Sequence, residues 1–262
     1  MGRPICFFDM DGTLLSHRSN CVPASTVLSF ERLQAQGIPC ILCSGRGLFE
    51  IEELRQTHAL HFDGYILLTG AYAADERRNC LFDRAIDPET LTRTVSYLDA
   101  HGLAAMFTNA HGGWMNRYTD KVMEIQRQIH TAPRAIGNMQ RIYEEPVYQI
   151  SVYADQNEAK KFLNEIHALR PTWWHPQAFD LSAKGVSKGW AMQKMCAHAG
   201  YSWTDAVAFG DGNNDVDMLE RAGLGIAMGN GSPDCKAKAD YVTADIDDDG
   251  IYKALVHFGL IA

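Results

Sequence analysis

An apolar run, Ile5-Cys6-Phe7-Phe8, ends abruptly on Asp9-Met10-Asp11-Gly12-Thr13, and no other stretch of the chain restricts its fold and chemistry as tightly. Four apolar residues closed by a glycine turn have the length of a buried strand. Carboxylates at the carboxyl end of such a strand stand where open α/β sheets hold their ligands. Two acids spaced i, i+2 at one strand end repel unless a cation lies between them. Mg²⁺ held by one or two carboxylates plus substrate phosphate meets that need. A calcium loop is the competing reading of Asp-x-Asp-Gly, and it fails on spacing. An EF-hand wants glycine at position six and a bidentate glutamate at twelve, whereas Gly12 is fourth and Asn20 twelfth.

At 262 residues the chain is near the size where one core stops growing, so one large domain or two smaller ones are open. A net charge of −8 without any Lys/Arg-rich run argues against nucleic acid or an anionic membrane surface as partner. The seven cysteines are scattered, and the one C-x-x-C spacing, Cys40 to Cys43, falls inside an expected buried strand without two further zinc ligands. Reduced thiols in a cytoplasmic protein are expected. The first apolar run is too short and too acidic for a signal peptide, and no stretch reaches transmembrane length. Met1-Gly2 is followed at position six by Cys6, where a myristoylation signal carries Ser or Thr.

Along the chain, a helix over Pro23 to Gln36 closes on Gly37, and a strand over Ile38 to Cys43 runs into Ser44-Gly45-Arg46-Gly47. A helix over Leu48 to Thr57 and a strand over Tyr65 to Leu68 complete a β-α-β-α-β series, the alternation of a parallel sheet wrapped by helices. The rhythm changes near Leu81. A helix starts at Asp87-Pro88-Glu89, strand-like runs lie around Ala104-Phe107 and Trp114-Arg117, and Val147 to Tyr153 is a strand. Gln156 to Leu169 reads as a helix and Thr172 to Leu181 as two short strands, so this stretch is an α+β insert. Alternation returns after Lys184: a helix from Gly185 to His198, a strand over Ala206-Gly210, a helix over Asp215-Arg221, strands at Leu224-Met228 and Tyr241-Val242, and a helix from Gly250. The expected organisation is a discontinuous core, 1–82 with 184–262, and an inserted domain over 83–183. Asp245, Asp247, Asp248 and Asp249 read as a solvated acidic turn.

Three further positions complement Asp9 and Asp11. Ser44 offers a hydroxyl and neighbouring amides after the second strand, suited to a phosphate oxygen. Lys188, in Gly185-Val186-Ser187-Lys188-Gly189 at a helix start, brings an ammonium that neutralises phosphoryl charge. Gly210-Asp211-Gly212-Asn213-Asn214-Asp215 follows a buried strand and supplies more acids for a metal. Each signal alone is an ordinary turn or a solvated side chain; their order and setting carry the weight.

In that order these four motifs resemble the haloacid dehalogenase superfamily, and within it the Cof-like phosphatases with a class IIB cap, whose insert lies between the second and third motifs. The resemblance implies a Rossmann-like parallel sheet core with helices on both faces, plus an inserted α+β cap. It implies a phosphatase of small phosphorylated metabolites in which Asp9 attacks phosphorus to give an aspartyl-phosphate. It also implies Asp11 as general acid and then base, with its side chain off the metal. Mg²⁺ would be held by Asp9, the backbone carbonyl of Asp11 and Asp211, with Asp215 in or next to its hydration waters. Ser44, Lys188 and Asn214 would hold phosphoryl oxygens. One departure stands out: where the family often has Asn-Gly-Ala after the third strand, this chain has Thr69-Gly70-Ala71.

A phosphomutase or phosphotransferase uses the same acids and differs in keeping the phosphoryl group from water. A non-catalytic sensor of Mg²⁺ and a phosphorylated ligand is opposed by intact residues at all four motifs. Substrate choice is expected to lie in the insert, which would close over the core and exclude water. Asn109, Trp114, Arg117 and Tyr118 are candidate contacts there. Packing is the stronger reading of these aromatic residues and of Trp173-Trp174, and His101, His111 and His175 have no metal-ligand spacing. Oligomeric state is not legible.

Overall fold

The computed structural model describes residues 3–129 and 131–262; Met1-Gly2, for which the sequence supports no myristoylation, lies outside them. The described residues divide into two compact units, one running up to Arg46 and taking in Glu50–Asp83 and Ser187–Ala262, the other taking in Gly47–Phe49 and the stretch from Arg84 to Val186.

In the first unit, β1 (Ile5–Asp9), β2 (Cys40–Cys43), β3 (Gly64–Leu67), β4 (Tyr72–Asp75) and β5 (Cys80–Asp83) come before the Arg84–Val186 part of the second unit in the chain. In the second unit, β6 (Ala104–Thr108), β7 (Gly113–Met115), β8 (Gln149–Tyr153), β9 (Leu169–His175) and β10 (Ala178–Ala183) follow. The chain then returns to the first unit with β11 (Ala206–Gly210), β12 (Leu224–Ala227) and β13 (Tyr241–Val242).

The first unit's sheet runs β13-β12-β11-β1-β2-β3-β4-β5. From β13 to β3 every pairing is parallel, with Phe7 beside Ala208 on one side and Ile41 on the other. Strands this apolar on both faces need cover on both. On one face Phe7, Ile41, Ile66 and Ala208 pack against Ala191, Met192 and Met195 of the helix Lys188–Ala199. On the other, Phe8 stacks on Phe209 with ring centres 5.0 Å apart and meets Phe30 of the helix Ala24–Ala35 at 4.8 Å. The chain leaves β1 toward β2 in one direction and returns as β11 on its opposite flank. The strand order therefore reverses between β1 and β11, the place where such sheets open a crevice at their carboxyl ends.

The sheet is not wholly parallel. β4 and β5 form an antiparallel extension on β3, a hairpin that the α/β alternation of the sequence does not reveal because an edge hairpin needs no crossover helix. The expected helix Leu48 to Thr57 stops at Glu53 and is followed by a 3₁₀ turn, Arg55–Thr57. The helix Pro233–Lys238 was also not anticipated. Its signal was present: Ser232 accepts from the Cys235 amide as N-cap, and Pro233 opens the first turn. The acidic turn organises itself, with Asp245 accepting from the Asp247 amide and Asp247 paired to Arg18 at 2.8 Å.

The second unit is a five-stranded antiparallel sheet ordered β7-β6-β8-β10-β9. Phe107, Ile150, Val152, Phe179 and Leu181 point from one face into a core completed by Leu91 and Leu98 of the helix Pro88–Ala100 and Phe162 of the helix Gln156–Glu165. Asp87 and Asp155 cap these helices through their side chains. A further helix, Asp120–Gln128, follows the N-cap Thr119 and buries Val122 and Ile125; the sequence pattern does not predict it. Among the described residues no helix is long and apolar enough to cross a membrane.

Candidate active site

β1 and β11 deliver the acids. Asp9 is the last residue of β1 and only 5% exposed. The chain then turns sharply, with the amides of Leu14 and Leu15 both donating to the Met10 carbonyl at 2.9 and 2.8 Å. Gly12 makes the turn with φ of 85°, and a Cβ there would stand 2.3 Å from Asp211 Oδ2. A side chain would thus be strained in the left-handed region and would also collide with the carboxylate arriving from the end of β11. Thr13 Oγ1 donates to Asp211 Oδ1 at 3.1 Å, which ties the first motif to the fourth.

Asp215 is fully buried, and its Oδ2 accepts from the amides of Asp211 and Gly212 at 3.1 and 2.9 Å. Its other oxygen faces Lys188, the first residue of the helix Lys188–Ala199. The Lys188 ammonium is wholly buried and lies 2.5 Å from both Asp9 Oδ1 and Asp215 Oδ1. The loop after β3 holds the start of this helix in place: Gly70, at φ of 99°, has its Cα so close to the Ser187 carbonyl that a Cβ would lie 2.3 Å from it.

The ligand oxygens of Asp9, Asp211 and Asp215 lie within 4.8 Å of one another. Three carboxylates against one ammonium leave an excess of negative charge in a buried place. Burial, and then the Asp215 charge, push the Asp9 carboxyl well above its usual range despite the nearby ammonium. Burial and Asp215 likewise raise Asp211, to about 6. Burial alone would lower the Lys188 ammonium, but Asp215 and Asp9 outweigh it and hold the group charged. An all-oxygen donor set with uncompensated negative charge fits a hard divalent cation. A second group able to hold a metal, His61, Asp63 and Glu76, is solvent-exposed.

Asp11 is not in the acid cluster. Its carboxylate is taken by Arg46, whose Nε donates to Oδ2 and Nη2 to Oδ1, both at 2.8 Å. In the sequence Arg46 is an ordinary turn residue, and its nearness to Ser44 is the available signal. Bonds to Asp11 raise the Arg46 guanidinium even though burial works the other way. Ser44 is 1% exposed and lies one residue beyond Cys43, the partner of Asp9 in the β1–β2 register. Its hydroxyl oxygen accepts from the Arg46 amide at 3.1 Å. Asn214 sits in the loop between Asp211 and Asp215 with its carboxamide oxygen turned against Gly212.

In the second unit, Trp114 is 1% exposed and stacks on Phe107, while Arg141 lies 4.1 Å over its ring. Asn109 is buried and accepts from the amides of His111 and Gly112 while donating to Glu145. Arg117 pairs with Asp99, and the Tyr118 hydroxyl donates to the Arg134 carbonyl at 3.0 Å. Trp173 packs on Phe179, and Trp174 donates to Asp180 at 3.0 Å.

Residues 6–255 match the family model of the haloacid dehalogenase-like hydrolases. The putative phosphatase YkrA of Bacillus subtilis is 28% identical, with each chain covered over its whole length. A putative bifunctional phosphatase/peptidyl-prolyl cis-trans isomerase of Streptococcus pyogenes is also 28% identical over 97% of this chain, which spans 54% of that protein. The solved structure of the subclass IIB sugar phosphatase BT4131 superposes with a TM-score of 0.86 at 31% identity, covering 98% of this chain and all of that one. The chain belongs to the haloacid dehalogenase-like hydrolase family, with the Cof-like phosphatases inside it. It is a hydrolase of phosphate esters.

Proposed function

We propose that the protein hydrolyses small phosphorylated metabolites in two steps through Asp9, with Asp11 exchanging the proton. The observation that carries this reading is the separation of two neighbouring carboxylates into two environments: Asp9 is bound to buried Lys188, whereas Asp11 stands apart on Arg46. Distinct surroundings for two acids give them distinct roles. Asp9, held by the ammonium through Oδ1, attacks phosphorus with its carboxylate and takes the phosphoryl group. Asp11 protonates the leaving alkoxide and then accepts a proton from the water that opens the aspartyl-phosphate. Ser44 donates its hydroxyl proton to a phosphoryl oxygen, and Lys188 and Asn214 bind the others.

The cation proposed for this site is Mg²⁺, which Asp9, Asp211 and Asp215 would hold with the backbone carbonyl of Asp11. When bound, it supplies the positive charge that lets an anionic nucleophile meet an anionic ester. Lys188 supports this by contacting both Asp9 and Asp215 and holding their carboxylates in place. Substrate choice is assigned to the unit built around β6–β10. The seven free cysteines suit a reducing cytoplasm, and the net charge of −8 argues against nucleic acid as partner.

The test is phosphate release from a panel of phosphorylated metabolites, with and without Mg²⁺, by wild type and Asp9→Asn. Turnover that needs both the cation and Asp9 is expected, and the ranking names the substrate class. Release that persists in Asp9→Asn would remove Asp9 as nucleophile, and no release from any ester would shift the reading to a mutase or a sensor.

A further inference from the structure

We propose that Arg46 is the positioning residue of the reaction: its guanidinium fork holds the Asp11 carboxylate on the leaving-group side and out of the cation site. The inference rests on the phosphatase reading above. Asp11 stands two residues after Asp9, beside a cluster whose excess negative charge calls for a cation. An unrestrained carboxylate at that place would itself turn toward the cation. The fork prevents this by taking both oxygens at once, Nε on Oδ2 and Nη2 on Oδ1, each at 2.8 Å. A planar fork matched to a carboxylate fixes its rotation as well as its position, which a lysine cannot do.

Arg46 is itself anchored. Its amide donates to Ser44 Oγ at 3.1 Å, and its carbonyl accepts from the Leu68 amide at 3.1 Å. The parallel β1–β2 register sets this loop next to the end of β1. Both side chains are about one-third exposed, 35% for Arg46 and 32% for Asp11, so the pair is open to an incoming ester, unlike the buried Lys188. Each carboxylate oxygen keeps a second lone pair outside the fork. Asp11 can therefore carry and release a proton while held. In the first step the Asp9 oxygen bonds to phosphorus, the ester P–O bond breaks, and the Asp11 proton passes to the leaving oxygen. In the second, water bonds to phosphorus and gives a proton to Asp11, and the Asp9–phosphorus link breaks to release phosphate.

If Arg46 acts through Asp11, its loss will be felt in proportion to the leaving group's need for a proton. The experiment measures kcat/KM, which reports steps up to release of the alcohol, for a primary alkyl phosphate and for p-nitrophenyl phosphate. It compares wild type, Arg46→Ala, Arg46→Lys, Asp11→Asn and the double variant Arg46→Ala with Asp11→Asn. For Arg46→Ala the alkyl ester is expected to fall by about 100-fold and the nitrophenyl ester by no more than about threefold, the span of general acid catalysis. Arg46→Lys should fall between, and the double variant should be no slower than Asp11→Asn alone. Equal losses on both esters, or a double variant slower than Asp11→Asn, would overturn the proposal and make Arg46 a phosphoryl or folding contact. Should Arg46→Ala fail to fold, the ester ratio of Arg46→Lys decides. Wild type inactive on both esters would instead remove the phosphatase reading, and this inference with it.

Discussion

Lys188 is the residue on which the site's electrostatics turn. It is wholly buried, which for an ammonium requires paired charges, and it has two at 2.5 Å. Lys188→Met would strand Asp9 and Asp215 as uncompensated buried carboxylates. In the absence of divalent cation this is expected to cost about 3–5 kcal/mol, read as a lower urea midpoint, with part of the loss restored by Mg²⁺. An unchanged midpoint would mean that the carboxylates are neutral in the folded protein. Lys188 was legible as a helix-start lysine in the sequence; its two partners were not, because it contacts Asp9 across 179 residues of chain. Arg46 was hidden for a related reason. A Ser-Gly-Arg-Gly turn reads the same whether its arginine is solvated or forked onto a carboxylate from another strand end.

At the scale of the element, the turn after β3 shows where a local rule is broken. Leu68 and Thr69 both have positive φ, 53° and 55°. A β-branched residue in the left-handed region is strained, whereas Asn visits it readily. The Thr69-Gly70-Ala71 departure from the family's Asn-Gly-Ala therefore has a backbone consequence in this chain. Thr69→Asn is expected to raise stability by about 1 kcal/mol, seen as a melting temperature higher by about 2–4 °C. A fall instead would mean that the buried Thr69 side chain makes packing worth more than the strain. The strands of the parallel region were readable because each is a short apolar run followed by a turn. The β4–β5 hairpin and the helix Asp120–Gln128 were not, since both lie where apolar periodicity is short and broken by charge.

At the scale of the whole molecule, the acid cluster links stability to pH and to the cation. The folded pKa of Asp211, about 6, lies above its ordinary 3.8, and Asp9 is raised as well. The folded state therefore binds protons more tightly than the unfolded one. Stability from Asp211 is present in full below about pH 4 and is lost as pH rises through about 6. In chelator the urea midpoint should fall over that window, against the usual rise from salt-bridged carboxylates, and saturating Mg²⁺ should flatten the fall by displacing the protons. A midpoint insensitive to Mg²⁺ throughout would show that the cluster does not bind it. Local patterns of strand length, glycine turns and alternation are enough to reveal the acidic turn after a buried strand, the alternating core and the family. Which carboxylate meets Lys188 and which meets Arg46 is set by the folded arrangement alone. That choice depends on β1, β2 and β11 coming side by side in one register, and no local pattern encodes the direction in which a side chain turns once several charges compete for it.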